Sequence, residues 1–312
     1  MVGPGLAAGV GATSARAKEQ VQGDEAPTEL IEAVGGRRQR AAGGGGDRTQ
    51  KVVFTVGEVL ITLGLVVLLF VVYEVYVTDW MSAGKQADAT ANLDERWSQE
   101  PLPDPGNQRT EKVRPVDGEG FAKLYIPAFG TDFVFTVLEG TTETTLEAGP
   151  GHYNDTALPG EPGNFAVAGH RVGKGAPFND LDLLRSCDAI VIETQTDWYI
   201  YRVMPMEGEA QDWEQGRGAS EQCTDVKPLG EPYEDLVGQQ IVLPHQSEVI
   251  APVPNHPDRV APPERQAALI TLTTCHPRFS AKQRLIVHGV FTKQYPKDPA
   301  NPGAQPPELT EG

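Results

Sequence analysis

A single apolar run near the N-terminus constrains this chain more than any other feature of its sequence. Val52 to Val77 is 26 residues long and overwhelmingly apolar, interrupted only by Glu58 and Glu74. As an α-helix it would extend about 39 Å, which is enough to cross a hydrocarbon core of roughly 30 Å. The run therefore predicts one transmembrane helix over residues 52–77, with the two glutamates near the membrane interfaces.

A cleaved signal peptide is the alternative, because the uncharged stretch between the two glutamates is only 15 residues long. However, the 51-residue leader is too long for a signal n-region, and Val77-Thr-Asp-Trp-Met-Ser offers no small-x-small cleavage site. Basic residues dominate the flank before the run, and acidic residues dominate the flank after it. The positive-inside rule then predicts an uncleaved single-pass anchor in the cell membrane, with a cytoplasmic N-terminus and an extracytoplasmic C-terminal part.

Composition divides the rest of the chain into four further regions. Residues 1–51 are rich in Ala and Gly, contain no aromatic residue and are expected to be a disordered cytoplasmic N-terminus. Residues 78–117 include Pro101-Leu-Pro-Asp-Pro-Gly106 and are expected to be an extracytoplasmic linker. A folded domain is predicted over 118–294. Residues 295–312 are rich in Pro and polar residues and are expected to be a disordered tail.

The predicted folded domain has the pattern of an all-β protein. Short apolar or alternating runs are separated by Gly, Pro, Asn and Asp, which is typical of a closed barrel or a sandwich. Nine strands are expected, over 121–126, 132–138, 164–170, 189–193, 198–204, 240–243, 248–253, 268–275 and 285–292. Only 141–147 and 178–184 look helical.

The charge of the chain argues against some classes of partner. The net charge is −17, and the first 51 residues are nearly neutral, with seven basic and six acidic side chains. The acidic excess therefore lies in the predicted exported part. Such a surface argues against nucleic acid or anionic lipid as a partner and suits a soluble extracytoplasmic domain.

Three cysteines in an exported domain allow one pair and one free thiol. Cys187 comes just before the strand predicted over 189–193. Cys223 lies in an acidic, Gly-rich stretch over 208–238 that interrupts the strand pattern and is expected to be an insertion. Because Cys275 is placed for chemistry, we expect a disulfide between Cys187 and Cys223. Two unpaired thiols are the alternative.

That chemistry rests on three residues. Thr271-Leu-Thr-Thr-Cys275 is an apolar and β-branched run that ends on a cysteine, and Arg284 opens a second such run nine residues later. If the two strands pair antiparallel, Arg284 falls opposite the end that carries Cys275. His170 ends another strand-like run and can supply a base. A thiol, a base and a permanent cation are what a cysteine transpeptidase needs.

Each of the three residues also has a structural interpretation. Cys275 can be a buried hydrophobic residue, Arg284 a cap on a sheet edge, and His170 a core histidine. His276 is a rival partner for Cys275, although adjacent strand residues point to opposite faces of a sheet.

A resemblance to a known family favours the catalytic interpretation. Ala168-Gly-His170, Thr271-Leu-Thr-Thr-Cys275 and Arg284 resemble the three signature elements of the sortase family. The surrounding sequence most resembles class E, the housekeeping sortases of high-GC Gram-positive bacteria. This resemblance is carried by Gly149-Pro-Gly-His-Tyr153, Thr156-Ala-Leu-Pro-Gly160 and Thr274-Cys-His-Pro-Arg-Phe-Ser280. The resemblance covers roughly residues 118–293. The insertion over 208–238, with Cys223, and Cys187 depart from the family pattern.

The resemblance implies an eight-stranded closed β-barrel with short helices, preceded by one transmembrane helix. It implies cleavage of a Leu-Pro-x-Thr-Gly-type sorting signal, or Leu-Ala-x-Thr-Gly in class E, between Thr and Gly through a thioacyl-enzyme. Cys275 would be the nucleophile, His170 the acid and base, and Arg284 the donor to the oxyanion or substrate carbonyl. The implied partners are surface proteins with a C-terminal sorting signal and the amine of a cell-wall precursor.

Substrate contacts are expected from Thr274 beside the nucleophile, from Leu146 on the helix predicted over 141–147, and from Tyr153. No His pair has the spacing of metal ligands, so neither a metal nor another cofactor is expected. Two other classes remain as alternatives: an L,D-transpeptidase-like or papain-like cysteine enzyme, and a catalytically silent anchored barrel that binds wall or protein partners.

Overall fold

The computed structural model describes residues 46–99, 115–301 and 303–311. The predictions made for residues 1–45 and 100–114 lie outside the described residues. Helix α1 spans Gly46–Val72, a π-helical turn spans Tyr73–Val77, and helix α2 spans Thr78–Gln99. Among the described residues, one helical segment is long and apolar enough to cross a membrane, over Arg48–Val72.

The rest of the described chain is built on one sheet with a short third helix, α3, over Glu143–Ala148. The strands are β1 Gly120–Tyr125, β2 Val134–Glu139, β3 Gly151–His152, β4 Gly163–Ala168, β5 Ala189–Glu193, β6 Asp197–Val203, β7 Gln239–Val242, β8 Ala268–His276 and β9 Gln283–Pro296. Eight of them close a barrel in the order β6-β5-β1-β2-β3-β4-β8-β9, because β6 also pairs with β9. The predicted eight-stranded closed barrel is thereby confirmed.

Strand β7 lies outside this ring and pairs with the first part of β9. The second part of β9 pairs with β6, so one 14-residue strand serves both neighbours in succession. The barrel interior is filled by apolar side chains from all around the ring, including the fully buried Phe165, Tyr201 and Leu272. Burial of these side chains is the main source of stability for a small barrel of this kind.

Two predicted elements are absent from the structure. Residues 248–253 do not form a strand, because Ser247–Ile250 is a 3₁₀ turn. The carbonyls of Val249 and Ala251 accept hydrogen bonds from the Asn164 amide instead of from a strand, at 3.4 and 3.1 Å. The helix predicted over 178–184 is reduced to a 3₁₀ turn at Leu181–Leu183.

Helix α2 falls within the predicted linker, yet it packs against the barrel. Its Leu93 is only 1% exposed. The Gln86 side chain accepts from the backbone N–H of Thr136 at 2.6 Å and donates to the carbonyl of Ala148 at 3.0 Å. These bonds attach α2 to β2 and to the end of α3. The polar composition of residues 78–99 gave no indication of them, because only a few side chains make the contact.

The C-terminal segment also differs from the predicted disordered tail. Leu309 packs on the barrel, and Glu308 is only 1% exposed. The buried guanidinium of Arg202 binds both carboxylate oxygens of Glu311, at 2.5 and 2.9 Å. A buried cation on β6 needs a counter-charge, and the segment after β9 supplies it.

A disulfide joins the predicted insertion to the residue that precedes β5 by two positions. Cys187 and Cys223 are bonded to each other across a sequence separation of 36 residues, and Cys275 is free. Trp213 and Val226 pack against the disulfide, and the Trp213 indole N–H donates to the carbonyl of Val226 at 2.9 Å. Residues 208–238 therefore form an ordered segment, in which a small cluster of apolar side chains packs around the disulfide.

Replacing both Cys187 and Cys223 by serine should lower the free energy of unfolding by about 3–4 kcal/mol, since the bond restricts a loop of this length in the unfolded chain. Urea denaturation of the variant and the wild type measures the difference. Thiol titration of the unfolded, unreduced wild type should give one free group, and three free groups would rule out the bond.

Candidate active site

Strands β4 and β8 bring His170 and Cys275 to one edge of the barrel. The two strands are parallel neighbours, and Ala168 on β4 pairs with Thr273 on β8. His170 and Cys275 each come two residues after this pair, and adjacent strands lie about 4.8 Å apart. Both side chains therefore belong to the same end of neighbouring strands.

Hydrogen bonds hold the two strand ends together. The backbone N–H of Gly169 donates to the carbonyl of Thr273 at 3.1 Å. In return, the Thr274 hydroxyl donates to the carbonyl of Gly169 at 2.8 Å. The chain leaves β4 after Ala168, and these two hydrogen bonds hold Gly169, the residue just before His170, against β8. The sequence had predicted that the strand continues through His170, whereas β4 ends at Ala168.

Strand β9 brings Arg284 to the same place. It pairs antiparallel with β8, and Cys275 lies directly opposite Arg284. Directly opposed residues of an antiparallel pair project from the same face of the sheet, so thiol and guanidinium share one side. Arg284 is half-buried, and its Nη1 donates to the carbonyls of Ala281 and Gln283, both at 3.0 Å.

His170 has an open hydrogen-bonding position. Its Nε2 is buried and has no hydrogen-bond partner among the described residues. Burial lowers the pKa of His170, and the nearby Lys174 cation lowers it further, while Glu143 and Glu147 act in the opposite direction. A neutral imidazole with an unpartnered nitrogen is suited to take up a proton during a reaction.

Lys174 is shared between the two carboxylates. It forms ion pairs with Glu143 and, at 3.3 Å, with Glu147, which also binds Lys85 of α2 at 2.7 Å. The hydrogen bond from Lys174 lowers the pKa of Glu143. Beside the larger effect of burial, the charges of Lys174, Glu143 and Glu147 shift the pKa of the His170 ring in opposite directions.

The expected substrate-binding residues have different surroundings. The Thr274 hydroxyl is buried and bonded to Gly169, an arrangement that favours a packing role. The Tyr153 hydroxyl lies 2.9 Å from the hydroxyl of Thr273, two residues before Cys275. Leu146 is half-buried on α3. A role in substrate binding remains a prediction for each of them.

One residue of the site was not found by the sequence reasoning. Arg171 is 3% exposed and directly follows His170. Its Nη1 lies 2.8 Å from Nδ1 of His276 and 3.4 Å from the carbonyl oxygen of Cys275. Its position next to the histidine was the only signal, and nothing in the sequence showed where its side chain points.

These observations define an eight-stranded closed-barrel domain with a cysteine, a histidine and an arginine at one edge, which is the arrangement that the sequence motifs predict for the sortase family. A family model described as "Sortase domain" matches residues 124–292, which is more than half of the chain. The chain therefore belongs to the sortase family.

The relatives agree with the class indicated by the motifs. Sortase SrtE1 of Streptomyces coelicolor is 29% identical over 290 residues, which cover 91% of this chain and 68% of that protein. Sortase SrtE2 of the same organism is 29% identical over 273 residues, covering 82% and 90%. The SrtF sortase from Corynebacterium diphtheriae is a structural match with 48% identity and a TM-score of 0.57, covering 65% of this chain and 97% of that one. The resemblance to class E is confirmed by the two curated relatives.

Replacing Lys174 by glutamine should raise the pKa of His170, because a cation is lost and the charges of Glu143 and Glu147 are left unopposed. With a raised pKa, the His170 ring stays protonated up to a higher pH than in the wild type. Titration of the His170 ring by NMR measures the shift directly.

The change Glu143→Gln is the matched control, and it should lower the pKa of His170, since it removes an anion that favours the imidazolium. If the pKa of His170 shifts in the same direction in both variants, the opposite effects assigned to Lys174 and Glu143 are wrong.

Proposed function

We propose that this chain is a membrane-anchored cysteine transpeptidase. It cleaves a Leu-Ala-x-Thr-Gly or Leu-Pro-x-Thr-Gly sorting signal between Thr and Gly, and it transfers the protein to the amine of a cell-wall precursor. The observation that carries the proposal is the register of β8. It opposes Cys275 to Arg284 on β9, and it leaves Cys275 and His170 each two residues beyond the last pair of β8 and β4.

The side chains suit a two-step acyl transfer. Cys275 gives its proton to His170 and attacks the threonine carbonyl, whose oxygen takes up negative charge. Arg284 is on the same face as the thiol and donates a hydrogen bond to that oxygen. His170 then protonates the leaving amine of glycine, and the threonine remains as a thioester on Cys275.

The second step reverses the proton transfers. The incoming amine attacks the thioester and gives up its proton to His170, and Cys275 leaves as the thiolate. The imidazolium then returns this proton to the Cys275 thiolate, which restores the thiol and the neutral ring. Burial and Lys174 lower the pKa of His170 and so favour this return. The unpartnered Nε2 supports its role as the atom that carries the proton.

Helix α1 supports attachment to the cell membrane. The apolar side chains along it are exposed, as expected of side chains that face lipid. The basic flank before the run favours a cytoplasmic N-terminus and an extracytoplasmic catalytic domain. This location brings Cys275 to the compartment in which surface proteins and cell-wall precursors meet.

The test uses the detergent-solubilised full chain with fluorogenic peptides that contain Leu-Ala-x-Thr-Gly or Leu-Pro-x-Thr-Gly. Amine-dependent ligation that is lost in Cys275→Ala is the expected result. Hydrolysis that no amine diverts would indicate a protease. An unreactive Cys275 and no turnover would indicate a silent barrel.

Arg284→Ala should reduce kcat/KM for ligation by roughly 10²- to 10³-fold, because one donor to the developing oxyanion is lost. Steady-state kinetics with the preferred peptide measures the loss. Arg259→Ala is a suitable control, because Arg259 lies at the surface in an ion pair with Glu234. Wild-type activity in Arg284→Ala would refute the assigned role.

A further inference from the structure

We propose that Arg171 is a positioning residue for the transpeptidation. It joins the loop that carries His170 to the strand end that carries Cys275, and it holds His276 in one neutral tautomer. The proposal rests on the function proposed above, in which Cys275 is the nucleophile and His170 the acid and base.

The contacts of Arg171 connect three segments around the site. It follows His170 directly, while its Nη1 reaches the carbonyl of Cys275 and the ring of His276 on β8. Its Nη2 lies 3.0 Å from a carboxylate oxygen of Asp182, in the segment that leads to β5. The side chain therefore holds the residues just after both reacting groups.

We call the contacts of Arg171 with Cys275, His276 and Asp182 the Arg171 bridge, and the arginine side chain at its centre is buried. Arg171 is 3% exposed, and its Nε is buried with no hydrogen-bond partner among the described residues. A buried guanidinium with an unsatisfied donor costs stability, even when one carboxylate neutralises it. In the proposed role, this cost is offset by the connection that the guanidinium makes between the loop after His170 and the end of β8.

The bond to His276 also separates the roles of the two histidines. Nδ1 of His276 lies 2.8 Å from Nη1 of Arg171, and a guanidinium only donates hydrogen bonds. Nδ1 must therefore accept, and the ring proton resides on Nε2. In this state His276 does not compete with His170 for the proton of Cys275, although it is the neighbour of Cys275 in sequence.

A second arginine reinforces the same segment. Arg278, in the turn after β8, lies 2.9 Å from Asp180 and 3.6 Å from Asp182. Asp182 therefore binds Arg171 from one side and Arg278 from the other. The β8–β9 turn, which leads to Arg284, is connected through Asp182 to the same bridge.

The first test compares Arg171→Gln and Arg171→Lys with the wild type in peptide ligation. Loss of the bridge should lower kcat by about 10- to 100-fold through misplacement of the reacting groups, with KM changed less than about threefold. Lysine keeps the charge and one donor, so it should recover part of the rate. Arg259→Gln is the matched control at an exposed arginine and should leave both constants unchanged.

The second test follows the His276 ring by ¹⁵N NMR, with His276→Gln to assign its signals. Wild type should show Nδ1 unprotonated and Nε2 protonated, and Arg171→Gln should show a mixture of tautomers. This signal is independent of turnover. If the wild type ligates no peptide but the His276 tautomer still depends on Arg171, the proposed function is refuted. The contact between Arg171 and His276 is then still supported.

Asp182→Asn covers the case in which Arg171→Gln does not fold, since Asp182 is partly exposed and lies at the outer end of the bridge. A smaller loss of kcat, about 2- to 10-fold, with the same change at His276 is expected. The proposal is overturned if folded variants keep both wild-type kcat and the wild-type tautomer. A loss of kcat with an unchanged tautomer would also overturn it.

Discussion

Strand β8 lies between a parallel neighbour, β4, and an antiparallel neighbour, β9, and the candidate site depends on these two pairings. Side chains alternate along a strand, so a slip of one residue would turn Cys275 to the other face. The closed ring prevents such a slip, because β9 is paired along its length with β8, β7 and β6. The barrel thus brings His170 to Cys275 and Arg284, which lie more than 100 residues later in the sequence, with the accuracy of a hydrogen-bonded ladder.

Much of the barrel could be predicted because its strands are short apolar runs bounded by turn residues. The strand over Ala189–Glu193 was predicted with its observed bounds, and the opposition of Cys275 and Arg284 followed from the short turn between two runs. Strand β3 was missed, since Gly151–His152 is two residues long and shows no periodicity. The run over 248–253 was misassigned, because its carbonyls bond to a side chain rather than to a strand.

Contacts made by single polar side chains could not be predicted from the sequence. Three such side chains bind groups that are far away in the chain: Gln86 on α2, Arg171 next to His170, and Arg202 on β6. No period or composition distinguishes these residues from ordinary surface residues. The sequence motifs identified the groups proposed to react, whereas the groups that hold them became visible only in three dimensions.

The disulfide of the insertion has a consequence for how the protein matures. Cys187 and Cys223 belong to a domain that also contains a third, free thiol, Cys275. Oxidation before the barrel has formed would let any two of the three sulfurs join, and two of the three possible pairs would consume the proposed nucleophile. The proposed activity therefore requires that Cys275 is already held at its strand end when the oxidant arrives.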